Sequence, residues 1–160
     1  MHEKMTQNVD ALMQRQGEVP ELLNSLLADE YQLYVTTRRA QRIMKETDFN
    51  GSGKFFEIQF EVLEKIIQST GKRVDTVGRF SPDSLNEFLK VGRLNRLNQG
   101  IDDQSSIINK LFIYHKLLII LLHNDIITTV EVHNDSETAS FLSELLEQHE
   151  KIVRMLGSHF

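Results

Sequence analysis

In a chain without cysteine, histidines beside carboxylates are the residues best able to bind a transition metal or carry a proton. This chain gathers three of its six histidines into its most apolar stretch. KLFIYHKLLIILLHNDIITTVEVHND (110–135) holds His115, His123 and His133. Each chemistry has a spacing requirement. A di-iron centre in a helix bundle uses Glu-x-x-His, which sets carboxylate and imidazole one turn apart on one face. No histidine here obeys it: the residue three before is Phe112 for His115, Ile120 for His123, Val130 for His133, Leu146 for His149 and Leu156 for His159, while His2 stands too near the start. HExxH is absent, and no GxSxG elbow supports a serine nucleophile. His115 and His149 fall on inward helical stripes and read as hydrogen-bonded core or interface histidines, with metal ligation as the alternative. His123 and His133, near Asp125 and Asp135, read as surface or subunit contacts.

The elements that carry these side chains follow from composition and periodicity. The 160 residues fit one domain with a sizeable core. The absence of cysteine removes disulfides, thiolate metal sites and cysteine nucleophiles together. The longest uninterrupted apolar run, Leu117 to Leu122, is closed by Lys116 and by His123-Asn124-Asp125, whereas a spanning helix needs about 20 predominantly apolar residues. MHEKMTQNVD lacks the apolar core of a secretory signal. The expectation is a soluble, cytoplasmic chain with no membrane partner. A net charge of -5 argues against nucleic acid as a general partner. Neither GxGxxG nor GxxxxGK[ST] occurs, so phosphate-cradling loops are not expected.

Helical periodicity runs nearly throughout. After Pro20, apolar residues at Leu22, Leu23, Leu26, Leu27, Leu33, Tyr34, Ala40, Ile43 and Met44 predict a long first helix. TDFNGSG (47–53) breaks it. A second helix carries Phe56, Phe60, Leu63, Ile67, Thr70, Val74 and Val77 on one stripe and ends near Gly78. SPDSLNEFLK (81–90) predicts a short helix with Ser81 as N-cap and Pro82 in its first turn, and 92–100 carries the chain onward. The third helix is expected from Asp102 or Asp103, either of which can cap it, to about His133. The fourth turns Ala139, Leu142, Leu145, Leu146, His149, Ile152, Val153 and Leu156 inward. Two helices, a crossover with a short helix inside it, and two more helices give an all-α, ferritin-like four-helix bundle over 20–160, preceded by a tail at 1–19. The third helix has a core stripe, yet Phe112, Ile113, Leu117, Ile119, Ile120, Leu121 and Ile127 spread over other faces. A helix apolar most of the way round is buried on more than one side. In a single-layer bundle that second cover comes from another subunit.

The fourth helix resembles the closing helix of the Dps family, the mini-ferritins. SETASFLSELLEQHEKIVRML (136–156) fits through Thr138, Ala139, Phe141, Leu142, Leu145, Glu150, Lys151, Met155 and Leu156, with Arg154 where tryptophan is usual. SLNEFL (84–89) is similar to the family's short middle helix, and LLADEYQLYVTTRR to its first. The resemblance spans about 20–158. It implies iron as cofactor and a homo-oligomer, a hollow dodecamer built from twofold dimers, with iron oxidised between two subunits by ligands ordered His-x11-His-x3-Asp-x10-Asp-x3-Glu.

Laid onto this chain without a gap, those positions are Gln41, Gly53, Glu57, Gln68 and Lys72, of which only Glu57 keeps a charged oxygen. A second register, pairing FFEIQ with the family's F-x-x-L-H, makes Gln59 the second histidine and turns the others into Thr47, Leu63, Val74 and Gly78. Neither restores the site. Fe(II) favours imidazole and carboxylate with open positions. A lysine ammonium about 4 Å from a cation repels it by about 4 kcal/mol or more at intermediate dielectric. The expectation is no ferroxidase activity at the usual place. Lys72 instead offers a charge to Glu57 of a twofold partner, since fifteen residues of helix, about 22 Å, separate the two within one chain. Iron-binding acids on an inner wall or pore are sought at Glu131, Asp135 and Glu137. The alternative is a shell or scaffold that has lost iron chemistry. DNA binding, which in the family commonly relies on lysine-rich tails, is not expected from a tail carrying Lys4 and Arg15 against Glu3, Asp10 and Glu18.

Overall fold

Every regular element among the described residues is helical, as the periodicity requires. The structure, a computed structural model, describes residues 3–4, 7, 18–47, 51–77, 85–97 and 106–160. α1 (Val19–Thr47) and α2 (Ser52–Val77) form an antiparallel pair; α3 (Leu85–Lys90) and α4 (Arg93–Leu97) lie in the crossover; α5 (Ile107–Glu131) and α6 (Ser136–His159) form the second pair. α1 packs along α2 and crosses to α5, and α6 packs along α5. This is the predicted all-α four-helix arrangement.

The core follows from the inward stripes. Leu23, Leu26 and Leu33 of α1, Phe56 and Leu63 of α2, Leu118 and Leu122 of α5, and Leu142 of α6 have no exposed surface. Burying a leucine side chain contributes about 1.5–3 kcal/mol. On α2 the stripe is rotated slightly from expectation: Gln59 and Ile66 are buried, while Phe60 and Ile67 are half-buried. Phe60 instead packs at a tilt against Tyr34, ring centroids 4.4 Å apart, with the Arg38 guanidinium 4.6 Å from its ring. That places aromatics in the seam between α1 and α2 rather than in the bundle centre.

Boundaries and caps are where local chemistry departs from the sequence expectation. Ser106 caps α5, its hydroxyl accepting from the Asn109 amide at 3.2 Å. Asp102 and Asp103, the expected caps, lie outside the described residues, as do Ser81 and Pro82. α5 ends at Glu131, two residues before the expected His133, and Asn134 turns the corner with φ 52. Asp135 then caps α6.

The connection after α3 is not plain coil. α4 drives Leu94 and Leu97 fully into the core. Gly92 lets the α3–α4 corner close on α1, because a Cβ there would meet Ala28 Cβ and Leu89 O at 3.3 Å.

Candidate functional site

The gapless alignment places Gln41, Gly53 and Glu57 around one surface groove of about 300 Å³, shared with Met44, Lys45, Gly51, Ser52 and Lys54. α1 contributes Gln41 from its last turns and α2 contributes Gly53 and Glu57 from its first. Three of the five positions therefore lie together. Among the described residues the groove's one carboxylate is paired: Lys54 Nζ donates to Glu57 Oε2 at 3.3 Å, both side chains well exposed. Gln41 Oε1 accepts from Arg38 Nη1 at 3.2 Å. Gln68 and Lys72 are exposed farther along α2, Lys72 on a second groove, between α2 and α6, of about 480 Å³. Among the described residues, one carboxylate with lysines and amides is not a donor set for Fe(II).

The acids sought as pore or wall ligands have other partners. Asp135 accepts the Thr138 amide at 3.0 Å and the Thr138 hydroxyl at 2.6 Å. Those bonds hold its carboxyl below the ordinary range. Arg73 donates to the Thr138 hydroxyl oxygen at 2.8 and 3.2 Å and lies 3.7 Å from Asp135 and 3.8 Å from Glu137. This cluster ties the end of α2 to the start of α6. Glu131 is exposed at the end of α5.

Inside the bundle, three helices bring acid and base together. Glu30 of α1, His115 of α5 and His149 of α6 are at most 2% exposed. His149 Nε2 lies 2.6 Å from Glu30 Oε1, and His149 Nδ1 lies 3.0 Å from His115 Nδ1. The inward reading of His115 and His149 is thus met, and their pairing gives it a reason. A lone buried carboxylate costs several kcal/mol. The 2.6 Å contact with His149 gives Glu30 Oε1 a hydrogen-bond partner in the interior. His115 stays neutral, its pKa held well below 6.5 by burial and by His149. On the inward faces Glu30 Oε2 and Gln59 Oε1 have no partner among the described residues. Gln59 Nε2 reaches only the Met155 sulfur, at 3.9 Å.

A second buried network sets the crossover. Arg93 donates from Nε to Asp29 Oδ2 at 3.0 Å and from Nη1 to both Asp125 oxygens at 2.8 and 2.9 Å. The amides of Arg93 and Leu94 both donate to Asp29 Oδ1, at 2.6 and 2.9 Å, so Asp29 of α1 caps α4. Burial pushes Asp29 up to about 6 against the pull of Arg93, which leaves it ionised at neutral pH.

His123 is exposed and His133 half-buried with a partner. His159 stacks on Phe55 at 4.6 Å, and its Nε2 lies 3.4 Å from the Ser52 hydroxyl. His2 lies outside the described residues.

Iron, which the fold suggests, can be tested against these groups. In the groove the donors are wrong. In the interior the donor types are right, but the imidazoles and one carboxylate oxygen are bonded to one another. Among the described residues no group of three or more histidines or carboxylates is placed to hold a metal ion. The residues therefore do not fit iron as they stand.

Sequence reasoning missed Glu30 and the two arginines. Glu30 had a signal: it continues the stripe Leu23, Leu26, Leu33 at helical spacing, so a carboxylate was due to point inward. Arg93 and Arg73 had none, because their partners are distant in sequence.

The ferritin-like domain family model matches residues 20–160. The chain is 31% identical over 145 residues, covering 91% of this chain and 80% of the relative, to an uncharacterized low temperature-induced protein of Nostoc sp.. The same figures hold for its homolog in Anabaena variabilis. No solved structure matches significantly. The helical order, the inward stripes and a domain match over nearly the whole chain agree: this chain belongs to the ferritin-like family.

Proposed function

We propose that this chain is a cytoplasmic, Dps-like mini-ferritin subunit that assembles through its α1–α2 face into a hollow, dodecameric shell, and that the shell sequesters iron without oxidising it at the seam between subunits. The observation that carries this reading is the groove of Gln41, Gly53 and Glu57. It occupies the aligned place of a ferroxidase centre, yet its one carboxylate among the described residues, Glu57, lies 3.3 Å from Lys54. Val35 of α1 and Ile58 of α2 support a covered face, being 59% and 47% exposed. In the assembled dimer Lys72 joins Lys54 in balancing Glu57 of the twofold partner, so that charge at the seam is met without a metal. The names of the Nostoc and Anabaena relatives, low temperature-induced, favour a stress role for this chain as well.

A second reading is a shell or scaffold without iron chemistry, alone or mixed with active relatives. It is favoured by the pairing of Asp135 and Glu137 with Arg73. DNA binding has no support in a chain of net charge -5.

One experiment separates these. The purified protein is sized by light scattering and then given Fe(II) in air. A hollow assembly that gains a mineral core supports sequestration. A hollow assembly whose absorbance grows at the buffer rate supports the scaffold. A monomer overturns both.

A further inference from the structure

α5 shows a second pattern beneath its core stripe. On its outward side isoleucines recur every seven residues, at Ile113, Ile120 and Ile127, with Lys116, His123 and Val130 three residues after each. Ile120, Ile127 and Val130 are 45%, 55% and 48% exposed, and Ile113 is half-buried. This is an a/d seam of nearly three heptads, lying on the face that α1 and α6 leave uncovered. β-branched residues at every a position pack well against a facing helix. The inward residues of the same helix, Leu111, Leu118 and Leu122, fill the bundle; Ile113 packs partly against that core, while Ile120 and Ile127 are left exposed among the described residues.

We propose that this face is a self-docking seam: α5 of one molecule packs antiparallel against α5 of a second copy. Charge decides the occupant and the direction. Lys110 stands at the start of the helix and Glu131 at its end, both at the e position that flanks such a seam. In an antiparallel pair e positions face e positions, which sets Lys110 of each copy beside Glu131 of the other. Ile120 then faces the partner's His123, and Ile113 the partner's Val130. A parallel pair would instead set Lys116 against its own copy and leave Lys110 and Glu131 opposite uncharged g positions. Fewer than three heptads with lysine and histidine at d make the contact weak and concentration-dependent. It lies on α5, apart from the α1–α2 face proposed above. The α5 seam joins molecules in addition to that contact or in its absence.

The test is sedimentation of the full chain at micromolar concentrations, in a Val35→Glu/Ile58→Glu background that disables the α1–α2 face. Circular dichroism confirms that each variant is folded. A dimer is expected. Ile120→Glu/Ile127→Glu abolishes it, and Lys110→Glu alone weakens it about tenfold or more. Lys110→Glu with Glu131→Lys restores it, which only an antiparallel copy explains. A background protein that stays monomeric overturns the proposal, as does a dimer indifferent to the α5 changes. Flotation of the protein with phospholipid vesicles, lost on Ile120→Glu/Ile127→Glu, also overturns it, for α5 is long and apolar enough to cross a membrane by composition. None of these results bears on the α1–α2 shell contact, which the same assay reads in the unmodified chain.

Discussion

Glu30 depends on His149 for its only hydrogen bond among the described residues, and both side chains are fully enclosed. Removing one partner strands the other. His149→Leu is expected to lower stability by about 3–5 kcal/mol, whereas Glu30→Leu/His149→Leu recovers most of that loss. Urea midpoints at neutral pH measure both. The neighbouring imidazole gives a pH test. His115 is held well below its ordinary 6.5, so below pH 6.5 the unfolded chain takes up a proton that the folded chain refuses. Stability from this group is present above 6.5 and is lost as pH falls, by at most about 1.4 kcal/mol per unit. Asp29 acts in the opposite sense. Its folded value of about 6 lies above the ordinary 3.8, so its contribution is full below 3.8 and fades as pH rises through 6. His115→Leu is therefore expected to flatten the loss of stability between pH 6.5 and 5. Denaturation midpoints of both proteins at each pH decide it. His115 and His149 were legible as inward groups, whereas Glu30 was missed although it sits on the same kind of stripe. The convergence of the three was not legible, since hydrophobic periodicity says which way a side chain points and nothing about which inward groups share a level.

At the scale of elements, the long helices were readable because apolar spacing repeats over several turns. The details that fail depend on single residues or on distant partners. Ile66 rather than Ile67 is buried on α2, a shift of one residue that moves a side chain by 100° around the helix. Ser106 caps α5 with its own hydroxyl, where an aspartate looked equally able a few residues earlier. α4 was read as plain connection because its five residues are too few for a period. What holds it is Asp29, sixty-four residues away, accepting the first amides of the helix. Arg93→Met leaves Asp29 and Asp125 buried without a cation and is expected to destabilise the protein by about 3–5 kcal/mol. Arg93→Lys keeps the charge but not the fork that reaches both acids, and should recover only part. Thermal melts of the two variants make the comparison. Asp135→Ala removes the α6 cap and should cost about 1 kcal/mol, read from the same melts.

For the whole molecule, the bundle was legible because it rests on residue types at fixed spacing, whereas the reading of a seam without its ligands rests on the family resemblance. The sequence did not show that Lys54 already engages Glu57 within the chain. If that pairing keeps metal out, Lys54→Ala alone should not create tight iron binding, because Gln41 and Gly53 still contribute no charged ligand. Lys54→Ala with Gln41→His and Gly53→His should bind Fe(II) more strongly than the parent. Metal content after equilibrium dialysis is the readout.

The Asp29–Arg93–Asp125 clamp joins residues spread across nearly a hundred positions. As the chain is synthesised, the α1–α2 hairpin leaves the ribosome first, with Asp29 still bare and one side of its apolar groove open to water. Loop closure over that span has to wait for α5, so the clamp belongs to a late step of folding. The nascent hairpin is thus the stage most exposed to aggregation, and Arg93 acts mainly as a lock against reopening once the bundle has closed.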